Sequence, residues 1–369
     1  MNYTNDTADL LLSLLRTTID NAPVSVSASA ETLWNVFEIA KFHSVEATAY
    51  YGIIKNNIEL PGELREKWQN RQLLNTAKTM VESYERDSIY DLFSKNGIAF
   101  LPLKGLVMKQ MYPAPEYRQM ADLDILIHKE QMEEASNLLI ERGYERTHAD
   151  EGNHDVFFKP PYITIELHHE MVAKNEALFH EYYKTIWTKA TKENGFQYQL
   201  NWNDFYIFQL VHFAKHYYHY GGSGVRSIMD IYVFLKNHKG DLDEAYLSKE
   251  LEKLRLVEFR SEAEKLALMW FGRETIDDSE MGEYVLTSGV QGTKKHILER
   301  RIEQNSENGK LNRWSYIQNR LFPDRHFMAY YYPEVEKKPY LLPWFWMKRF
   351  AKKWRRGLKE YKDVTEKQK

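Results

Sequence analysis

Between residues 98 and 170 the hydrophobic pattern of the chain changes period, and this change constrains the fold more than any other feature. On either side, apolar residues recur three and four apart. Leu10, Leu11, Leu14 and Leu15 do so first, then Leu33, Val36, Phe37, Ile39 and Ala40, and later Trp202, Phe205, Tyr206, Gln209, Phe213, His216 and Tyr217. Stripes of this kind mark amphipathic helices with one buried face. Pro61–Gly62 opens a long segment that runs to about Ser94, and Asn96–Gly97 closes it as a helix stop does. Within the middle stretch, IAFLPLK, DLDILI, GYERTH, DVFFK and YITIELH read as strands, and residues 130–142 read as one amphipathic helix. The pattern predicts an α+β fold. A small mixed-sheet core over 96–185 is flanked by a helical region at 1–95 and another at 186–369. Helical segments of the latter are expected at 245–255, 258–272, 295–305, 310–321 and 340–360.

Composition narrows the function classes. There are 50 basic and 53 acidic residues, a net charge of −3, so bulk charge does not drive this chain onto nucleic acid. Cysteine is absent, which removes disulfides, thiolate zinc sites and a cysteine nucleophile. No apolar window is long enough for a transmembrane helix, and the first residues lack a basic leader; the expected location is the cytoplasm. Few of the 9 Trp, 25 Tyr and 18 Phe fall within residues 100–130; they concentrate in the helical parts, where they are expected to pack layers and line an approach to the carboxylates.

The chemistry concentrates in residues 100–169. Asp122 and Asp124 are two apart in an apolar strand, so both carboxylates project to one face while Leu123, Ile125 and Ile127 project to the other. Two like charges this close raise each other's pKa, and a divalent cation relieves the repulsion. Hard oxygen ligands suit Mg2+ or Mn2+. Glu166 lies in another apolar strand; if the two strands are neighbours, it completes a three-carboxylate cluster suited to two-metal phosphoryl transfer. Upstream, Lys104–Gly105 links a strand to a helix. The glycine lets the backbone approach a phosphate and the lysine adds a point charge; the plain alternative is an ordinary turn. Arg118 is a candidate clamp for the same group.

The ordered set LPLKG, YPAPEYRQMADLDILI, LLIERGY and IELHHE resembles the DNA polymerase beta-like nucleotidyltransferases, and within them a largely uncharacterised bacterial branch. VHFAKHYYHYGGSGVRSIMDIYVFL and LFPDRHFMAYYYPEVEKKPYLLPWFWMKRF carry the resemblance over most of the chain. It implies a metal-dependent transfer of a nucleoside monophosphate from an NTP to an acceptor hydroxyl, with release of pyrophosphate. Gly105 would meet the nucleotide phosphates, Asp122 and Asp124 would bind both metals, and Glu166 would be the third carboxylate. The chain departs from the family pattern in having Leu106 where serine commonly follows the glycine, and Glu rather than Asp at the third position. These departures leave open a catalytically degenerate module that binds nucleotide or protein. The acceptor is not legible in the sequence.

Further candidate positions accompany this set. His168 shares the face of Glu166 and is expected to orient a carboxylate or substrate, or else to be a plain buried histidine. His212 and His216 lie one helical turn apart, but no glutamate follows the first, so a face packed against the α/β core is favoured over zinc. Gly221–Gly222–Ser223–Gly224 precedes Arg226 and Asp230. Either Arg226 approaches a phosphate beneath a closing loop, or the two residues form an ion pair within a helix. From Lys348 onward ten basic residues face three acidic ones, just after LLPWFWM. Residues 340–369 have the character of a weak membrane-surface or nucleic-acid contact. A helix that docks its Trp face and solvates its lysines is the favoured reading.

Overall fold

The computed structural model describes residues 5–24, 28–148, 152–161, 163–272, 279–290, 292, 325, 328, 332 and 334–348. The chain divides into two compact units, Met1–Ala173 with Leu178–Ile297, and Lys174–Ala177 with Leu298–Lys369. In the second unit Met328, Val335 and Phe345 form a small apolar cluster beside a short helix at Glu334–Lys337. The segments read as helices at 295–305 and 310–321, and the basic tail beyond 348, lie outside the described residues.

The first unit opens with four helices: α1 (Asn5–Asp20), α2 (Ala30–Phe42), α3 (Glu46–Lys55) and α4 (Gly62–Lys95). Ser29 caps α2 by accepting from the Thr32 amide. Pro61 precedes α4, and Gly97 ends it at φ 71, a left-handed turn that glycine adopts freely. Then come β1 (Phe100–Pro102), a single turn α5 (Gly105–Met108), β2 (Leu123–Ile127), α6 (Met132–Glu141), β3 (Glu145–His148), β4 (His154–Lys159), β5 (Ile163–His168) and α7 (Ala177–Tyr183). A hairpin of β6 (Ala190–Asn194) and β7 (Gln197–Leu200) leads into α8 (Trp202–Tyr218), α9 (Val225–His238), α10 (Glu244–Leu254), α11 (Val257–Phe271) and α12 (Glu280–Ser288).

The seven strands form one mixed sheet in the order β3-β4-β5-β2-β1-β7-β6. Strand β2 runs antiparallel to β1 and parallel to β5, with Asp124 opposite Glu166 in the register. The β6–β7 hairpin extends the sheet past residue 185, within a stretch whose sequence reads as part of the helical region. Its residues ATKEN and QYQL are polar and mostly exposed, so they lack the apolar alternation that announces a strand.

Alternation sorts the side chains. Leu123, Ile125 and Ile127 join Ile163, Ile165, Leu167 and Phe157 in a core against Ile89 and Phe93 of α4 and Leu139 of α6. Leu126 belongs instead to the larger core shared by α1–α3 and α8–α12. Asp124, two residues before Leu126, therefore faces the second helical layer. Helices α1–α3 and α8–α12 share that one core, so the three stretches of different sequence texture are not three separate cores.

Candidate active site

The site begins with a turn. Leu103 donates its amide to the Asp124 carbonyl at 3.0 Å, which ties the end of β1 to β2. Lys104 then takes φ 40 and ψ −111, a backbone region that non-glycine residues rarely occupy. This conformation turns the chain into α5 and sends the Lys104 ammonium back to Asp124 Oδ1, 2.6 Å away. Gly105 sits beneath; a Cβ here would lie 2.6 Å from Met120 Sδ and 2.8 Å from Arg118 Nη1, so a larger residue would have to displace one of these side chains.

Asp124 is almost fully buried and accepts a second hydrogen bond on the same oxygen from His168 Nε2, at 2.8 Å. His168 Nε2 also lies 3.3 Å from Glu166 Oε2, and His154 Nε2 lies 3.8 Å from Glu166 Oε1. Glu166 is about a quarter exposed (23%), so its carboxylate is open to a ligand. His154 faces His168 across the antiparallel β4–β5 pair, and its ring lies 4.8 Å from that of His168.

The charges are not what two adjacent aspartates alone would produce. Burial works against an ionised Asp124, but the Lys104 charge and the His168 hydrogen bond outweigh it and hold its pKa well below the ordinary range. Asp122 has neither hydrogen bond, although the Lys104 charge reaches it. Burial, then the charges of Asp124 and Glu166, push it up to about 6, and among the described residues nothing hydrogen-bonds its carboxylate. The expected mutual elevation thus falls on Asp122 alone. For Glu166 burial is the largest effect and pushes upward, but the His168 hydrogen bond together with the charges of Lys104 and His168 outweighs it, and the net shift is downward. For His168, burial pulls down while the bonds to Asp124 and Glu166 pull up, and the net shift is upward.

Lys104, Glu166 and His168 line a cavity of about 170 Å³, and helix α8 forms the facing wall. Phe208, Val211, His212, Lys215 and His216 project into it at helical spacing. The rings of His212 and His216 stand 4.6 Å apart. Burial pushes His212 well below its ordinary value and His216 down to about 4, so both imidazoles are neutral near pH 7. Met171 and Val172 add apolar floor. The cavity thus pairs a polar, charged side on the sheet with an apolar and imidazole side on α8.

The remaining candidates are placed elsewhere. Arg118 donates through Nε and Nη2 to both oxygens of Asp230 on α9, at 2.8 and 2.7 Å, and Tyr112 donates to the same carboxylate at 2.7 Å. Asp230 thus pairs with Arg118 rather than with Arg226 of its own helix. Arg226 donates to the Gln119 carbonyl at 2.8 Å and stabilises the charge of Asp122. The glycines before it answer a packing demand: a Cβ on Gly222 would lie 2.4 Å from Gly292 Cα. Asp122 itself lies outside the cavity lining.

A family described as uncharacterised nucleotidyltransferase matches residues 31–272, about two thirds of the chain and every candidate site residue. The chain belongs to this nucleotidyltransferase family. No curated protein and no solved structure matches it. Membership assigns this nucleotidyltransferase to the transferases that move nucleotidyl groups, a class that typically uses divalent metals. No described helix is long and apolar enough to cross a membrane. Two residues of the site, Asn153 and His154, escape a reading by motif. His154 stands at the start of a strand of mixed polarity, and only its register opposite His168 brings it to the carboxylates. The juxtaposition of Asn and His ahead of a strand was the sole signal.

Proposed function

We propose that this nucleotidyltransferase transfers a nucleoside monophosphate from an NTP to an acceptor hydroxyl, with release of pyrophosphate, and that it requires a divalent cation. The observation that carries the reading is the pairing of Asp124 with Glu166 on neighbouring parallel strands, at the edge of a cavity that also holds Lys104. The donor set suits a hard cation. Carboxylates converge there, and the charge on Asp124 is already balanced by an ammonium and an imidazole. Asp122, Asp124 and Glu166 would hold Mg2+ or Mn2+. When bound, the cation polarises the phosphoryl group and neutralises charge that develops on the leaving oxygens.

The chain's own residues do the rest. Lys104, whose ammonium lies 2.6 Å from Asp124 Oδ1 in the cavity lining, would supply positive charge to the triphosphate. His168 keeps Asp124 and Glu166 ionised and oriented. Arg118 acts through its bidentate grip on Asp230, which fixes the segment leading into β2, and Arg226 steadies the charge on Asp122. The α8 wall, with Phe208 and Val211 beside neutral imidazoles, suits stacking of a base or sugar. The test is incubation with α-labelled NTPs, Mg2+ and a panel of hydroxyl acceptors. Label enters acceptor with the native protein and not with Asp122→Ala/Asp124→Ala; identical behaviour of the two defeats the reading.

One observation favours a second reading. Lys104 and His168 already neutralise Asp124 from within, as they would in a scaffold that binds nucleotide without turning it over. Calorimetry that detects tight NTP binding, alongside no product under any acceptor, selects this binding module.

A further inference from the structure

Asn153 stands between two histidines, and its own bonds fix which way its amide lies. Its Nδ2 donates to the Glu170 carbonyl at 2.9 Å. A carbonyl only accepts, so the donor there is the amide nitrogen. That same nitrogen lies 3.3 Å from His168 Nδ1, while the amide oxygen lies 3.2 Å from His154 Nδ1. The ring nitrogen that faces the amide NH2 must accept, and the one that faces the amide oxygen must donate. The neutral His168 ring therefore carries its proton on Nε2, where Asp124 accepts it at 2.8 Å. The neutral His154 ring carries its proton on Nδ1 and leaves a lone pair on Nε2, 3.8 Å from Glu166 Oε1. Two histidines on neighbouring strands are thus held in opposite tautomers by one amide.

The consequences for a metal differ between them. His154 has the arrangement of a metal-ligating imidazole, with Nδ1–H tied to an oxygen and Nε2 free. Donor atoms bound at about 2.0–2.2 Å stand no more than about 4.4 Å apart across one ion, so the His154–Glu166 separation already suits a shared cation. His168 presents a hydrogen to Asp124 and Glu166 and acts as a donor that holds them. His154, Glu166 and His168 converge within 4.8 Å, and they divide into two ligands and one positioning group.

We infer that His154 Nε2 joins Glu166 in binding a divalent cation, that Asn153 is the positioning residue that presents this nitrogen, and that the centre consequently prefers Mn2+ or Zn2+ to Mg2+. The inference rests on the nucleotidyl-transfer reading only in taking Glu166 as a ligand. A nitrogen donor favours the later first-row ions, whereas Mg2+ favours oxygen.

The experiment uses the full chain without nucleotide. Mn2+, Zn2+ and Mg2+ are titrated separately by calorimetry, and pulsed electron paramagnetic resonance on the Mn2+ form reads directly bound nitrogen. The expected result is nitrogen coupling in the native protein. His154→Ala and His154→Gln abolish the coupling and weaken Mn2+ by about ten-fold or more, while Mg2+ changes little. Asn153→Ala, which removes the acceptor for His154 Nδ1, lowers Mn2+ affinity by about ten-fold or more as well, whereas Asn153→Asp, which still accepts from it, retains binding. Thermal melts of the metal-free variants check folding, and the partly exposed His154 makes its variants the safer arm. Mn2+ bound without nitrogen coupling, coupling that survives in His154→Ala, Mg2+ preferred over Mn2+, or no binding of any of these ions would each overturn the inference. Nucleotidyl transfer that continues under Mg2+ in His154→Ala would leave the activity standing while removing this ligand.

Discussion

Lys104 carries two burdens in one residue. Its backbone occupies a left-handed region that glycine would hold without strain, and its ammonium neutralises the buried Asp124. Such strain persists only where neighbours over-determine it, and here the Leu103–Asp124 bond and the turn into α5 do so. Lys104→Met removes the largest charge that holds Asp124 down, so the Asp124 pKa rises toward the ordinary carboxylate range. Carbon NMR of the labelled carboxylates follows the titration; an unmoved Asp124 would assign the depression to His168 alone. Stability linked to Asp124 ionisation is present above its unfolded pKa and disappears as pH falls toward its folded one. Gly105→Ala places a methyl group against Met120 and Arg118 and costs about 1–3 kcal/mol of overpacking, measurable by urea denaturation.

At the scale of elements, the segment between α5 and β2 decides where Asp122 and Asp124 stand. It has little regular structure, and its shape comes from other elements. Thr48 of α3 donates to the Tyr117 carbonyl, Asn75 of α4 to that of Glu116, Lys78 to that of Met120, and Arg226 of α9 to that of Gln119. The Arg118–Asp230 pair ties the same segment to α9 from below. Asp230→Asn leaves a buried guanidinium half-paired and is expected to cost roughly 3–5 kcal/mol, whereas Arg118→Met/Asp230→Leu costs clearly less, because it removes both charges together. Denaturant midpoints of the three proteins decide this.

Element scale also marks how far the sequence can be read. The helices and β2 announce themselves through periodicity, because each buries a continuous apolar face. Asp124 and Glu166 are visible as acids set in apolar strands. The partners that set their charges are not visible: in the sequence Lys104 has the character of a phosphate ligand, and nothing local signals that its side chain folds back on Asp124. The Arg118–Asp230 pair spans 112 residues, a distance over which no spacing rule operates. His154 reaches the site only through strand register. The β6–β7 hairpin hides because most of its residues are polar; it is held by pairing to β1 and by Leu200, Ala190 and Tyr198 against the large core.

For the whole molecule, α1–α3 and α8–α12 clamp the sheet through one apolar core, and buried histidines report on that clamp. His43 at the end of α2 accepts from the Val225 amide of α9, and its other ring nitrogen lies 3.1 Å from the Leu286 carbonyl of α12. Burial pushes its pKa down to about 4. The unfolded chain binds this proton near pH 6.5 and the folded chain does not, so stability falls as pH drops from about 6.5 to about 4, by roughly 3 kcal/mol for this ring. His216, also pushed down to about 4, adds in the same direction. Asp122, raised to about 6, works in the opposite direction, so urea midpoints of the native protein and of His43→Gln are compared across this range; the native protein is expected to lose more stability than the variant. Equal losses in the two proteins would mean that His43 takes its proton within the folded state.

The most direct test of the central claim, that Asp124 and Glu166 form the transfer centre, needs no knowledge of the acceptor. Water serves in its place, and pyrophosphate released from each NTP is measured in the presence of divalent cation. The native protein is expected to release pyrophosphate slowly, and Asp124→Asn and Glu166→Gln to lower that rate by about 10²-fold or more, the scale at which a group that stabilises transition-state charge is usually felt. Equal release from all three proteins, or release of orthophosphate in place of pyrophosphate, would contradict the account.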